Sequence, residues 1–296
     1  MRWISGAFIY ICSGGLIADT DNGSEIPYFL TANHCLSNSN AASNLEAFFD
    51  YRMSCGGSCP AGTFDPAPAP KTTGATVEAT GKKGDFTLLR LSETPPAGSV
   101  YLGWNSAPIA SNNGAALHRI SHPSGAPQGY SEHAVDANIG TCLNTPRGQF
   151  IYSDDVFGAT EGGSSGAPVV NASGEIVGQL TGCCGVGGGN CNDVCNANNH
   201  TIDGAFAFYF SNVEPFLDST PCTPTTADCT DGVDNDCDSL TDCDDTNGGA
   251  EDCSSEPTCQ SGCANPGGLP PGSSCTSDSE CCSDKCKGPP SNKTCR

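Results

Sequence analysis

The chain has 296 residues and a formal net charge of −21, which excludes nucleic acid and anionic membrane surfaces as partners because both require a basic face. Its 21 cysteines are too many for a reducing cytosol, so we expect a secreted protein whose signal and propeptide lie upstream of Met1. No apolar run reaches the roughly 20 residues that span a bilayer.

Residues 1–219 predict one all-β unit, large enough to bury a sizeable core. Short apolar runs between Gly, Asn, Ser and Pro predict strands, namely AFIYIC, PYFLTA, FTLLRL, PVVN, EIVGQL and AFAFYF. The stretch PVVNASGEIVGQL predicts a hairpin, with Asn-Ala-Ser-Gly as its turn. We expect the first strand of this domain to lie upstream of Met1, and the odd cysteine count supports a bridge partner there.

The composition changes after residue 219, where large apolar residues nearly vanish. Residues 220–252 form an acidic, cysteine-containing segment, and residues 253–296 predict a small disulfide-rich, knottin-like module with a vicinal pair, Cys281 and Cys282. Segments with so little to bury need disulfides or metal to hold a fold. The cysteine connectivity stays open, because sequence alone does not select it.

Three motifs carry the chemistry in the order His, Asp, Ser: FLTANHCL with His34, GDFTLLRL with Asp85, and GGSSGAP with Ser165. A serine hydroxyl attacks a carbonyl when a neighbouring base removes its proton, and imidazole suits that task near neutral pH. A carboxylate on the other ring nitrogen selects the tautomer and stabilises the imidazolium. The sequence therefore predicts a catalytic triad of His34, Asp85 and Ser165.

The glycines around Ser165 predict a tight turn in which backbone N–H groups converge on one point. We expect Gly163 and Ser165 to supply these donors to a developing oxyanion, where losing one donor typically costs about 10²–10³ in rate. Pro168 then leads the chain into the next strand.

Residues 4–217 resemble chymotrypsin-fold serine proteases (clan PA), and more specifically bacterial lysyl endopeptidases. The resemblance lies in CSGGLIADTDNGSEIPYFLTANHCL, GATVEATGKKGDFTLLRL and GATEGGSSGAPVVNASGEIVGQL. It implies two six-stranded antiparallel barrels with the site in the cleft between them. It favours Ser165 over Ser164 as the nucleophile, and it implies a disulfide between Cys12 and Cys35 that anchors the histidine loop.

The resemblance also concerns specificity for the P1 residue, the substrate residue on the N-terminal side of the scissile bond. A pocket for Lys or Arg needs an anion, since a buried cation without a partner is prohibitively costly. The family places an aspartate shortly before the penultimate strand, and in NNHTIDGAFAFYF the candidate is Asp203. When the segment is aligned with the family on Gly204, Thr201 rather than Asp203 occupies the position of that aspartate. Asp203 is therefore either the substrate-binding anion or a strand-entry residue, and the second reading favours a small or apolar P1 residue.

A metal site is predicted in the acidic segment. Asp234, Asp236, Asp238 and Asp242 follow a D-x-D-x-D-x₃-D pattern, which presents hard oxygen ligands as a calcium site does. The alternative is an acidic, solvated spacer that is cross-linked by disulfides. We expect no cofactor for catalysis itself.

Together these features predict a secreted, monomeric serine endopeptidase acting on proteins or peptides through an acyl-enzyme. The alternative from another class is a catalytically silent adhesion or binding protein that keeps the protease fold as a scaffold. A third interpretation makes the tail the functional part, as a module for surface attachment or inhibition.

Overall fold

The computed structural model describes residues 1–21, 25–53, 65–142, 144–193, 196, 198–218, 286–287 and 294–295. The chain divides into two compact units, Met1–Ser219 and Thr220–Arg296. Within the described residues, no helix has the length and apolar character needed to cross a membrane.

The regular secondary structure of the first unit is mainly strand, which confirms the predicted all-β class. Its strands are β1 (Arg2–Ser5), β2 (Phe8–Ile11), β3 (Gly15–Leu16), β4 (Tyr28–Ala32), β5 (Glu46–Phe48), β6 (Lys71–Thr73), β7 (Ala75–Gly81), β8 (Phe86–Leu91), β9 (Ala116–Ser121), β10 (Gly129–Val135), β11 (Phe150–Phe157), β12 (Pro168–Asn171), β13 (Ile176–Cys184) and β14 (His200–Ala205). Its helices are α1 (Ser39–Ala42) and α2 (Phe206–Leu217). In the second unit, β15 (Cys286–Lys287) and β16 (Thr294–Cys295) pair antiparallel.

The second half of the first unit is a closed barrel with strand order β10-β11-β14-β13-β12-β9. Its core contains aliphatic side chains from successive strands, among them Leu117, Ile151, Val169 and Val177. The predicted hairpin is confirmed as β12 and β13, which pair antiparallel. Its turn closes through a hydrogen bond from the Gly174 N–H to the Asn171 carbonyl (2.9 Å).

For the first half, the prediction of a second closed six-stranded barrel is not confirmed by the described residues. Its described strands form two four-stranded sheets, with orders β2-β1-β5-β6 and β3-β4-β8-β7. In the second of these sheets β4 is buried along its whole length, and β8 is buried except for Arg90. These two strands therefore provide a rigid centre for this half.

The pairing of β4 with β8 positions the functional groups. The two strands run antiparallel with Ala32 opposite Phe86. Residues that follow β4 therefore lie beside residues that precede β8, which brings His34 and Asp85 together although 51 positions separate them.

The run AFAFYF was predicted as a strand and is instead the start of helix α2, so that prediction is wrong. The buried residues of the helix are Phe206, Tyr209, Val213 and Leu217, spaced by three or four positions. This spacing places them on one helical face, whereas a strand buries every second residue. The face packs against the side chains of β4 and β8.

Two disulfides hold the end of β13. Cys183 pairs with Cys191, and its neighbour Cys184 pairs with Cys142. Cys184 belongs to a small apolar cluster with Phe150, Tyr152 and Ile202. The adjacent cysteines thus cross-link this strand end to two different loops.

Candidate active site

His34 and Asp85 form a closely paired couple. The Nδ1 of His34 lies 2.7 Å from Oδ2 of Asp85, and the backbone N–H of His34 donates to Oδ1 of the same carboxylate (2.9 Å). The side chain of Asp85 is 10 % exposed, whereas that of His34 is 43 % exposed. The carboxylate is thus oriented by both of its oxygens, while the imidazole can meet a substrate.

The backbone of Asp85 adopts a conformation that is unusual for its residue type. Its φ is 50°, and the preceding Gly84 has a φ of 76°. Non-glycine residues rarely adopt positive φ, and they keep it where the surrounding structure holds them. The carbonyl of Asp85 accepts a hydrogen bond from the N–H of Asn33 (3.0 Å), which links the aspartate to the segment that carries the histidine.

The turn around the predicted nucleophile is tightly bonded. The N–H of Ala167 donates to the Ser164 carbonyl (3.0 Å), and the N–H of Gly166 donates to the Leu180 carbonyl on β13 (2.7 Å). Gly166 has a φ of 81°, and a β-carbon there would lie 2.2 Å from Oγ1 of Thr31. Glycine is therefore required where this turn meets β4.

The two serines of the turn differ in environment. Ser164 is fully buried, and its hydroxyl accepts a hydrogen bond from Oγ of Ser121 (3.0 Å). Ser165 is only half-buried. Of the two hydroxyls, that of Ser165 is therefore the one a substrate can reach.

The amides predicted to bind an oxyanion are available. Within the described part of the chain, no hydrogen bond uses the N–H groups of Gly163 or Ser165. Gly163 has a φ of 97°, and a β-carbon at this position would lie 2.7 Å from the His122 carbonyl. Glycine thus allows the close approach that shapes this part of the turn.

Sequence reasoning missed Ser13, which holds the turn around Ser165 on both sides of Ser164. Its N–H donates to the Ser165 carbonyl (2.7 Å), and its hydroxyl donates to the Gly163 carbonyl (2.8 Å). The neighbouring Cys12 forms a disulfide with Cys35, the residue after His34. One short segment is therefore attached to both the turn and the histidine loop. The position of Ser13 beside the cysteine was the available signal.

Asp203 does not present a free carboxylate to a substrate pocket. It is fully buried and forms an ion pair with Arg119, which is also buried. Nη1 of Arg119 further lies 2.9 Å from Nε2 of His133. A guanidinium already neutralises Asp203, so its surroundings favour a structural role inside the barrel.

A different carboxylate lies beside Thr201. The hydroxyl of Thr201 donates to Oδ1 of Asp155 (3.0 Å), and the same oxygen lies 2.8 Å from Nδ1 of His133. The Asp155 side chain is 24 % exposed, so it is accessible in a way that Asp203 is not. No sequence motif marks Asp155.

Two groups of described residues bring metal-ligating atoms together. Cys12, His34 and Cys35 form one, but both sulfurs belong to a disulfide and are no thiolate ligands. Asp136, Asp154 and His200 form the other, in which Nδ1 of His200 lies 2.6 Å from Oδ1 of Asp154.

The predicted calcium ligands lie outside the described residues. They are Asp234, Asp236, Asp238 and Asp242. The calcium site therefore stays a prediction.

Comparisons with known proteins agree with the fold and add a family. A lysyl endopeptidase of Pseudomonas aeruginosa is 34% identical over 174 residues, which are 58% of this chain and 36% of that protein. An inactivated protease paralogue of the scabies mite has a TM-score of 0.50 at 14% identity, covering 73% of this chain and 92% of its own. A protease of M. tuberculosis in its active form has a TM-score of 0.45 at 13% identity. The match covers 75% of this chain and 81% of that protein.

At 14% identity the scabies mite structure shows likeness of fold alone. The family evidence comes from sequence: the family model described as lysyl endopeptidase, C-terminal domain, matches residues 2–203. That match covers more than half of the chain, which therefore belongs to the family of lysyl endopeptidase C-terminal domains.

Proposed function

We propose that this chain is a serine endopeptidase that cleaves peptide bonds with His34, Asp85 and Ser165. The observation that carries the proposal is the double contact of Asp85 with the ring and the backbone N–H of His34. This arrangement holds the imidazole with one nitrogen on the carboxylate and leaves the other to act as a base. Membership in the lysyl endopeptidase family supports the same reaction class.

The reaction follows from the roles of the groups. Nε2 of His34 accepts the proton of the Ser165 hydroxyl as Oγ attacks the peptide carbonyl carbon, and the N–H groups of Gly163 and Ser165 stabilise the oxyanion. The imidazolium then gives its proton to the leaving amine, and the C–N bond breaks to leave an acyl-enzyme on Ser165. Water, deprotonated by His34, hydrolyses the ester and restores the serine hydroxyl.

Labelling with a fluorophosphonate probe tests the nucleophile. We expect the intact chain to form one covalent adduct on Ser165, because only an activated serine reacts rapidly with such a probe. The Ser165→Ala variant should lose the adduct and peptide hydrolysis, whereas Ser173→Ala, at an exposed turn position, should retain both. Adduct measurement by intact-mass spectrometry checks this.

A folded wild-type chain without any adduct would support the alternative of a silent binding protein. An adduct that persists in Ser165→Ala would move the nucleophile to another residue.

We further propose that this protease prefers Lys or Arg at P1 and that Asp155 supplies the anion. Asp203 already has a cationic partner in Arg119. Asp155 instead accepts from Thr201, the residue that alignment on Gly204 puts at the family's pocket position, and its side chain is partly exposed. The name of the Pseudomonas aeruginosa relative, lysyl endopeptidase, supports a basic P1 residue.

Cleavage of a peptide library tests this preference. We expect enrichment of Lys or Arg at P1, and we expect Asp155→Asn to reduce kcat/KM for basic P1 substrates about 10²-fold or more while sparing small apolar ones. The reason is that a buried cation without an anionic partner is strongly disfavoured. Absence of basic enrichment in the wild type would remove the P1 proposal and leave the triad proposal standing.

A further inference from the structure

A buried glutamine reaches from the barrel to the loop that carries Asp85. Gln179 lies on β13 and is fully buried. Its Nε2 donates hydrogen bonds to the carbonyls of Gly84 and Asp85, both at 2.9 Å. These are the two consecutive positive-φ residues that lead into β8. The side chain therefore binds the backbone where the aspartate adopts its rare conformation.

The amide of Gln179 is itself oriented by helix α2. The hydroxyl of Tyr209 donates to Oε1 of Gln179, which directs Nε2 toward the two carbonyls. Burial, followed by the nearby carboxylates of Asp85 and Asp203, raises the pKa of Tyr209 well above its usual value. The phenol therefore stays protonated and remains a donor.

The packing around the Gln179 amide is tight. The ring of Tyr209 stacks on Phe86, the residue after Asp85, with centroids 4.3 Å apart. A β-carbon on Gly204 would lie 1.9 Å from the Gly84 carbonyl oxygen and 2.2 Å from Nε2 of Gln179. Glycine at this position allows the amide and the loop to approach each other.

The same strand also holds the nucleophile turn. Gln179 pairs with Pro168 across the β12–β13 hairpin, and the next residue, Leu180, accepts the hydrogen bond from the Gly166 N–H (2.7 Å). Strand β13 thus binds the turn of Ser165 through its backbone and the loop of Asp85 through a side chain.

We propose that Gln179, oriented by Tyr209, is a positioning residue that holds Asp85 in register with His34. This inference rests on the proposed function, because it assigns Gln179 a role only if Asp85 orients a catalytic imidazole. Without the two hydrogen bonds, the loop can leave its positive-φ conformation and carry the carboxylate away from the 2.7 Å contact. Displacement of a catalytic group by about 1 Å costs about 10²-fold in rate.

Two substitutions of Gln179 and one of Tyr209 test the proposal. Gln179→Met keeps the side-chain length without the amide, and Gln179→Glu keeps an acceptor for Tyr209 but presents no N–H to the carbonyls. We expect each to lower kcat about 10–100-fold with KM changed less than about twofold, since the substrate-binding surface is untouched. Tyr209→Phe should give a smaller decrease of the same kind. Gln128→Met, at an exposed position, is the matched control.

Proton NMR distinguishes a positioning role from a merely structural one. A merely structural role of Gln179 would leave the resonance of the proton between His34 and Asp85 unchanged. The proton between His34 and Asp85 should resonate at low field in the wild type, and it should shift or disappear in the folded Gln179 variants. Unchanged kcat with an unchanged low-field resonance in Gln179→Met would overturn the proposal. If that variant does not fold, Tyr209→Phe decides by the same two measurements, because it removes a single hydroxyl.

These outcomes are distinct from failure of the proposed function. Peptide hydrolysis that persists in Ser165→Ala would reject the triad irrespective of Gln179. Loss of hydrolysis in Ser165→Ala, combined with full activity in the Gln179 and Tyr209 variants, would reject only the positioning role.

Discussion

Replacing Asp85 by asparagine is expected to lower kcat by about 10⁴ while leaving the fold intact. Oδ1 of Asp85 accepts the backbone N–H of His34, so the asparagine oxygen should take that place. The NH₂ group of the asparagine then takes the place of the wild-type Oδ2 and faces Nδ1 of His34. Because an amide nitrogen only donates, Nδ1 must become the acceptor, and the ring proton moves to Nε2. A protonated Nε2 cannot accept the proton of Ser165.

Steady-state kinetics on a peptide substrate checks this expectation, with thermal melting as evidence that the variant folds. Glu214→Gln is the matched control because it also removes one carboxylate, from the exposed surface of helix α2, and it should keep wild-type kcat. A folded Asp85→Asn variant with kcat within tenfold of the wild type would remove Asp85 from the mechanism.

Replacing Asp203 by asparagine is expected to affect stability rather than specificity. The variant leaves the buried guanidinium of Arg119 without its counter-charge. Removing one partner of a buried ion pair costs about 3–5 kcal/mol. Since domains are stable by only about 5–15 kcal/mol, the melting temperature should fall by roughly 10 °C. Differential scanning calorimetry measures this change.

A double variant separates charge imbalance from lost packing. Nε of Arg119 and Oδ2 of Asp203 have no hydrogen-bond partner among the described residues, so the ion pair is incompletely satisfied. Replacing both residues by apolar ones, Arg119→Met with Asp203→Leu, should therefore recover most of the lost stability. If Asp203→Asn melts like the wild type but loses selection for Lys or Arg, the anion of the P1 pocket is Asp203 and not Asp155.

Local patterns predicted the features that depend on neighbouring residues. The strands β4, β8 and β12 follow apolar runs between turn residues, and the hairpin of β12 and β13 follows its Asn-Ala-Ser-Gly turn. The all-β class and the family are confirmed. The pairing of His34 with Asp85 spans 51 positions, and it was expected from the chemistry of a catalytic triad and from the family resemblance rather than from local pattern.

Other features depend on contacts between distant residues and have no local signature. The bonds of Gln179 to Gly84 and Asp85 span 95 and 94 positions respectively, and no spacing rule marks a glutamine inside a strand as their donor. The partner of Asp203 is 84 positions away, so an apparently free acid proved to be paired. The helix that begins at Phe206 was misassigned because an apolar run of six residues is compatible with a buried strand or a helix.

The attachment of Ser13 governs how the site can open. Proteins fluctuate by releasing contiguous cooperative units, and a segment opens alone only if few bonds tie it to its surroundings. Ser165 cannot swing outward without releasing Ser13, whose carbonyl also accepts a bond from Thr31 (2.8 Å) on the strand that leads to His34. Ser165 and the strand that leads to His34 are therefore bonded to one residue, and we expect them to open together rather than separately.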